Sequence, residues 1–386
     1  MYDADDIVEV KKRSKRRRRR KKFLIFMLVF AVISGLWYTR DEWLPKLRGI
    51  GKKYQIVKND GELAEGNFPI EITGGAEYQL QCSDDTLLLL SDANIYYYSE
   101  DGVKLKRRQH VYTNSVLDAS NGNALIYESG GDEFSVENED EILYSKSFDN
   151  PIMFAELSAE GYTAVVTSSE TYACELDVYN DSGKLIYERE CVERISDLAF
   201  TGESSGCVIS YIDAKNGALV TTVQKVSFNS TEDKWKSPEI DTLGLQVFGS
   251  DGGAFVLGYE SCAFVDSSGQ ISSYYEYSGD FAGGDCKSGK AAVIINDDDM
   301  RKYTLALFNG NDEVPVTIES ENPLKYVLIY DGLAYVMDKD EIRAYDFSGK
   351  LRSTAEVTDS YNEFRRSSDY VFLMAYNRID RIDYNS

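Results

Sequence analysis

A single histidine, His110, serves the whole 386-residue chain, and that scarcity removes several chemistries at once. One imidazole cannot build a multi-histidine zinc site, and no cysteine pair has C-x-x-C spacing. A Ser-His-Asp triad would have to use His110, yet no G-x-S-x-G elbow presents a serine. Beside Arg107 and Arg108, His110 reads as an exposed strand or loop residue. No glycine-rich phosphate cradle precedes a helix, and Gly252-Gly253 and Gly283-Gly284 sit between strand-like segments as turn glycines. Proline is scarce too, with six in all, and after about Lys53 no stretch patterns as a helix of more than two turns. No cofactor or metal is expected from these motifs.

The N-terminus holds the one long apolar stretch. A basic run, Lys11, Lys12, Arg13, Lys15, Arg16, Arg17, Arg18, Arg19, Arg20, Lys21 and Lys22, is broken only by Ser14. It leads into FLIFMLVFAVISGLWY, which begins Phe23, Leu24, Ile25, Phe26 and ends Trp37, Tyr38. At 1.5 Å per residue this spans about 24 Å, slightly short of a hydrocarbon core of about 30 Å. Lys21 and Lys22 snorkelling at one interface, and Trp37, Tyr38 and Trp43 at the other, close the gap. Eleven cations before the span, against five cations and two acids in 39–53, place the N-terminus inside and the remainder outside the cytoplasm. A cleaved secretory signal competes with this reading, but Ser34-Gly35-Leu36-Trp37-Tyr38 offers no small-x-small site. A possible helical continuation runs through 41–47.

The basic run also invites a nucleic-acid reading, but contiguity with the span makes it a topology signal attracted to anionic lipid. Net charge argues the same way. The chain carries -23, and residues 1–22 contribute eleven cations against four acids, so the rest is near -30 and repels polyanions. No nucleic-acid partner is expected. Acids are so abundant that no catalytic pair stands out, and Asp297-Asp298-Asp299 lacks the D-x-D-x-D-G order of a calcium loop. The six cysteines all lie beyond the span, where disulfides persist. Cys174 and Cys191 are equidistant from the turn at Asp181-Ser182-Gly183-Lys184 and should face each other across a hairpin, as a possible bridge or as two small buried thiols.

Tyrosine is plentiful, 28 in all, and clusters at Tyr96-Tyr97-Tyr98 and Tyr274-Tyr275-Glu276-Tyr277. In strands such neighbours point to opposite faces and cannot form one stacking platform. The first cluster opens a recurring unit of strand, polar turn and strand. Clear copies have their turns at Ser99 to Gly102, Asn180 to Gly183, Asp266 to Gly269 and Asp346 to Gly349. Weaker copies lie between them, at Glu137 to Asp140, Asn229 to Glu232 and Asn309 to Asp312, and a last one stops in Asp383 to Ser386. The markers fall at 102, 140, 183, 232, 269, 312, 349 and 386, a period near 41 residues. Four short antiparallel strands per period is the unit of a β-propeller blade. Eight blades are expected, or seven if the copy near Phe228 belongs to an insertion. The last copy lacks its final strand, and Lys53-Tyr54-Gln55-Ile56-Val57 is the expected donor that closes the ring.

On these markers the sequence resembles quinoprotein-like and WD-type propellers. As a whole it looks like the uncharacterised single-pass, propeller-bearing envelope proteins of Gram-positive bacteria. It departs from the better-known repeats: there is no Trp-Asp pair, and Trp37, Trp43 and Trp235 cannot supply one tryptophan per blade. The resemblance implies a scaffold and no activity. The expected organisation is a basic cytoplasmic tail over 1–22, a transmembrane helix over 23–38, a linker over 39–52 and an all-β propeller over 53–386. Its expected role is to bind or scaffold an envelope protein, peptide or glycan from the outer face of the cell membrane. An envelope glycan hydrolase or lyase with paired carboxylates is the alternative.

Overall fold

The computed structural model describes residues 57–59, 66–72 and 77–384, apart from 84, 203, 231–232, 251–252, 311–313 and 359. The basic run, the apolar stretch 23–38, the linker 39–52 and the possible helix over 41–47 lie outside the described residues. Within them every regular element is a strand, and no helix is long and apolar enough to cross a membrane.

The strands form eight antiparallel sheets in chain order, the eight blades expected from the period. Their first strands are Tyr78–Ser83, Ser115–Ser120, Ile152–Leu157, Arg194–Thr201, Gly244–Ser250, Asp280–Lys287, Tyr326–Tyr330 and Tyr361–Arg366. These inner strands approach one another around the ring, and that of blade 8 meets that of blade 1. Each blade then runs outward by hairpins, so one end of the ring carries the first and third turns of every blade. We call it the hairpin end. The opposite, crossover end carries the second turns and the blade-to-blade connections.

Second strands are near-continuous apolar runs, such as Leu87-Leu88-Leu89-Leu90 and Thr163–Thr167, because both of their faces are covered by neighbouring blades. Eight apolar clusters result, one per blade junction. Between blades 5 and 6, Phe255, Phe264 and Phe308 are fully buried, each contributing about 1.5–3 kcal/mol. Outer strands such as Lys104–Gln109 are polar and exposed, with lysines that discourage edge pairing. The copy near Phe228 is a true blade. Its 49-residue interval arises from two ten-residue strands, Gly206–Lys215 and Ala218–Ser227, followed by an outer strand of only two residues, Trp235–Lys236.

Ring closure differs from the expectation. The strand that completes blade 8 is Ile70–Glu71, antiparallel to Arg378–Asp383, and not the segment 53–57. Val57–Asn59 instead adds a parallel fifth strand to Leu351–Glu356 of blade 7. The physical reason is the path of the chain. It must return to the hairpin end, where Asn67 N donates to Asp101 O at 3.0 Å, before it can rise along blade 8. Arg381 locks that seam: it is 3% exposed, donates to Glu100 O and Asp101 Oδ1, and lies against the rings of Phe68 and Tyr370. The chain end is also not a simple turn, because Tyr384 is fully buried, bonds Ser353 Oγ at 2.8 Å and packs edge-on to Tyr335.

Candidate functional site

The inner strands carry a repeated cross-blade bond. Leu157 N donates to Asp118 Oδ2 at 2.7 Å, Val247 N to Asp197 Oδ2 at 2.6 Å and Ile329 N to Asp285 Oδ2 at 2.6 Å. Each aspartate stands on an even blade and binds the next, odd blade. In blade 8 the corresponding residue is Arg365, whose Nε donates to Leu80 O at 2.8 Å. Gln79 and Gln81 of blade 1 make matching two-point contacts with the backbone of blade 2.

Two of these aspartates, Asp118 and Asp197, converge with Glu156 on blades 2 to 4. Glu156 hydrogen-bonds Asp118 and feels the charge of Asp197, and Glu156 and Asp197 line a cavity of about 370 Å³. Burial, reinforced by Asp118 and then Asp197, holds the Glu156 carboxyl well above the usual carboxylate range. Burial raises Asp118 and Asp285 as well, and pushes Asp197 up to about 7, against backbone bonds from Val247 and Leu198 that favour its charged form. Aspartates do recur at 118, 197 and 285, at intervals near two blades, but among so many other acids the recurrence marks nothing in the sequence alone.

A cavity of about 750 Å³ opens at the crossover end where blades 8, 1 and 2 meet. Tyr78, Tyr112, Tyr376, Met374 and Val111 supply its apolar walls, with Val111 85% and Tyr376 74% exposed. Glu77, Asp92 and Glu363 line it and no lysine or arginine does. His110 is also there, in a loop as expected though half-buried: Nε2 donates to Ser91 O at 2.8 Å, and the ring stacks on Tyr112. Blade-to-blade connections are short here, so residues distant in sequence converge without a local motif to announce them.

The other candidates are placed as follows. Cys174 and Cys191 are register partners across the third and outer strands of blade 3, both as free buried thiols. Their mutual hydrogen bond lowers Cys174 to about 7 and raises Cys191. Tyr97 is buried and donates to Glu137 Oε1, whereas Tyr96 and Tyr98 pair on the opposite face, as strand alternation requires. Asp297-Asp298-Asp299 stands at the second turn of blade 6, and no group of three or more potential ligands forms a metal site among the described residues. Gly283 and Gly284 lie within the inner strand of blade 6 and not in a turn; Gly284 packs against Leu257.

Solved structures share this architecture. The computationally designed Ika8 protein aligns with a TM-score of 0.62 at 12% identity, over 84% of this chain and all of that one. BamB from Moraxella catarrhalis aligns at 0.56 and 12% identity, over 83% and 98% of the two chains. A eukaryotic initiation factor aligns at 0.55 and 14% identity, over 80% and 86%. These likenesses establish the fold. No curated protein matches the sequence. A family model does match, over residues 64–383, which is nearly the whole propeller, and the chain therefore belongs to the family of unknown function DUF5711.

Proposed function

We propose that the propeller is a binding module of the cell envelope that grips a protein or peptide at its crossover end. In this reading residues 23–38 hold it on the outer face of a membrane, with Lys11 to Lys22 inside. The observation that carries the proposal is the crossover cavity: about 750 Å³, open, walled by tyrosines, and flanked by the exposed apolar side chains of Val111 and Tyr376. Tyrosine offers large contact area at low entropic cost, and exposed apolar groups beside a cavity mark contact surfaces. Of the wall residues, His110 Nε2 is engaged by the Ser91 carbonyl and Ser91 Oγ by the Asn94 carbonyl.

A photo-crosslinking residue placed at Val111 or Tyr376 in the full chain, in cells, is expected to capture a discrete partner. The same residue at Leu143, exposed on an outer strand, should not. Equal capture at the three positions, or none, would overturn the proposal. Cell-surface protease access to the C-terminal domain checks the topology separately.

The glycan hydrolase alternative rests on the convergence of Asp118, Glu156 and Asp197. Glycosidase acids stand about 5–10 Å apart to admit the scissile bond, whereas Asp118 and Glu156 hydrogen-bond each other. Wall-polysaccharide cleavage that Glu156→Gln abolishes would reverse this preference.

A further inference from the structure

We propose that the hairpin end of the ring, where blades 6, 7, 8 and 1 converge, holds a site for an oxyanion, the carboxylate or phosphate group of a ligand seated in the channel. Three of the four even blades place an aspartate at the cross-blade position, and blade 8 replaces it with Arg365 followed by Arg366. The Arg365 guanidinium is paired with Glu363 at 3.2 Å, which leaves Arg366 and Lys287 as the cations turned to the space beside it. A cavity of about 650 Å³ opens beside this replacement and adjoins another of about 370 Å³; Lys287, Tyr330, Arg366 and Ser368 line both.

The walls carry donors that lack acceptors. Arg366 is 5% exposed and has no carboxylate partner among the described residues: its two Nη atoms donate to Tyr370 O and Tyr384 O, and its guanidinium lies 5.1–5.5 Å from the rings of Tyr330, Tyr335 and Tyr384. Its Nε makes no hydrogen bond, and neither does Oγ of the buried Ser367. A buried donor left unmade costs about 1–3 kcal/mol, which a ligand acceptor recovers. Lys287, on the facing blade, is exposed, lies over the Tyr330 ring, and has no ion pair among the described residues. Asp85 and Asp331 also line these cavities, but both are exposed at the rim. An oxyanion would offer acceptors to donors of this kind and a counter-charge to Lys287 and Arg366. A cation would meet Lys287 and Arg366, and a neutral ligand would leave their charge unbalanced. The volume exceeds that of a bare ion, leaving room for the rest of the ligand over Tyr330 and Tyr326.

This site is at the opposite end from the crossover cavity and stands or falls separately. The test is titration of the full chain in detergent with inorganic phosphate and, separately, acetate, by calorimetry at constant ionic strength in chloride. Saturable binding of either is expected, and which one binds identifies the group. Lys287→Gln and Ser367→Ala should each weaken it, the former by about tenfold. Neither variant should impair folding, since Lys287 is exposed and the Ser367 hydroxyl makes no bond; Ser367→Ala should melt no lower than the parent. Absence of saturable binding for both anions, or binding unchanged in both variants, would overturn the site.

Discussion

Asp197 shows how much of this protein's chemistry is decided by position. Its pKa of about 7 follows from burial at the channel, since an unfolded aspartate titrates near 3.9. The folded state therefore holds a proton that the unfolded state has lost between about pH 4 and 7. Stability is highest at the acidic side of that window and falls as pH rises, by about 1.4 kcal/mol per unit for this group. Asp118, Glu156 and Asp285 shift in the same direction and add to the trend. Asp197→Asn keeps an oxygen for Val247 N and abolishes the charge, so it should raise the melting temperature at pH 8 and flatten its pH dependence. Thermal melts from pH 5 to 8 check this; a slope as steep as the parent's would contradict it. None of this was legible in the sequence, where these acids look like the others and only the ring supplies their burial. The Cys174 and Cys191 pairing was legible, because the symmetry of a hairpin about its turn needs no tertiary information. Under oxidising conditions these two are expected to bridge and the other four cysteines to stay reduced, which non-reducing peptide mapping would show.

Among the elements, the third turns explain why half of the repeats were easy to see. In blades 3, 5 and 7 the side-chain oxygen of Asn180, Asp266 or Asp346 accepts bonds from the backbone and hydroxyl of the serine two positions on, and from the backbone two further along. The glycine that follows the serine lies under an outer-strand side chain of the preceding even blade: Gly183 under Tyr144, Gly269 under Trp235 and Gly349 under Val316, with Gly102 and Phe68 matching them across the seam. In even blades 2 and 4 the third turn instead receives an outer-strand arginine of the preceding odd blade, Arg108 donating to Asn138 O and Glu139 O, and Arg189 to Asp233. Together with the even-blade aspartates, this makes the propeller a fourfold repeat of blade pairs. Gly269 has a φ of +83° and a Cβ there would sit 2.9 Å from Trp235 Cβ. Gly269→Ala should therefore cost about 1–3 kcal/mol, read by denaturant titration, whereas a loss under 0.5 kcal/mol would show that the blade pair has slack.

For the whole molecule, counting turns yielded the blade number but not the closure. Residues 53–57 and 70–71 are both short β-formers, and the second is held by the clamp of Arg381 on Asp101 and Phe68 and by Ile70 and Ile72 in the cluster between blades 8 and 1. Removing residues 1–59 should leave a folded ring that has lost one edge strand. Removing residues 1–72 takes out Ile70 and Ile72, which belong to the apolar cluster between blades 8 and 1, and should give a domain that binds hydrophobic dye and melts well below the first truncation. Similar melting of the two would mean that closure does not depend on Ile70–Glu71.

The parallel strand Val57–Asn59 has a mechanical consequence. It is joined to blade 7 at three register positions only, and it precedes the closing strand along the chain. Tension applied from the N-terminal side reaches this patch first and must peel it away before any load falls on Ile70–Glu71. Three residues thus lie in series with the seam, so a pull from that side would be expected to spend itself on them while the ring stays shut.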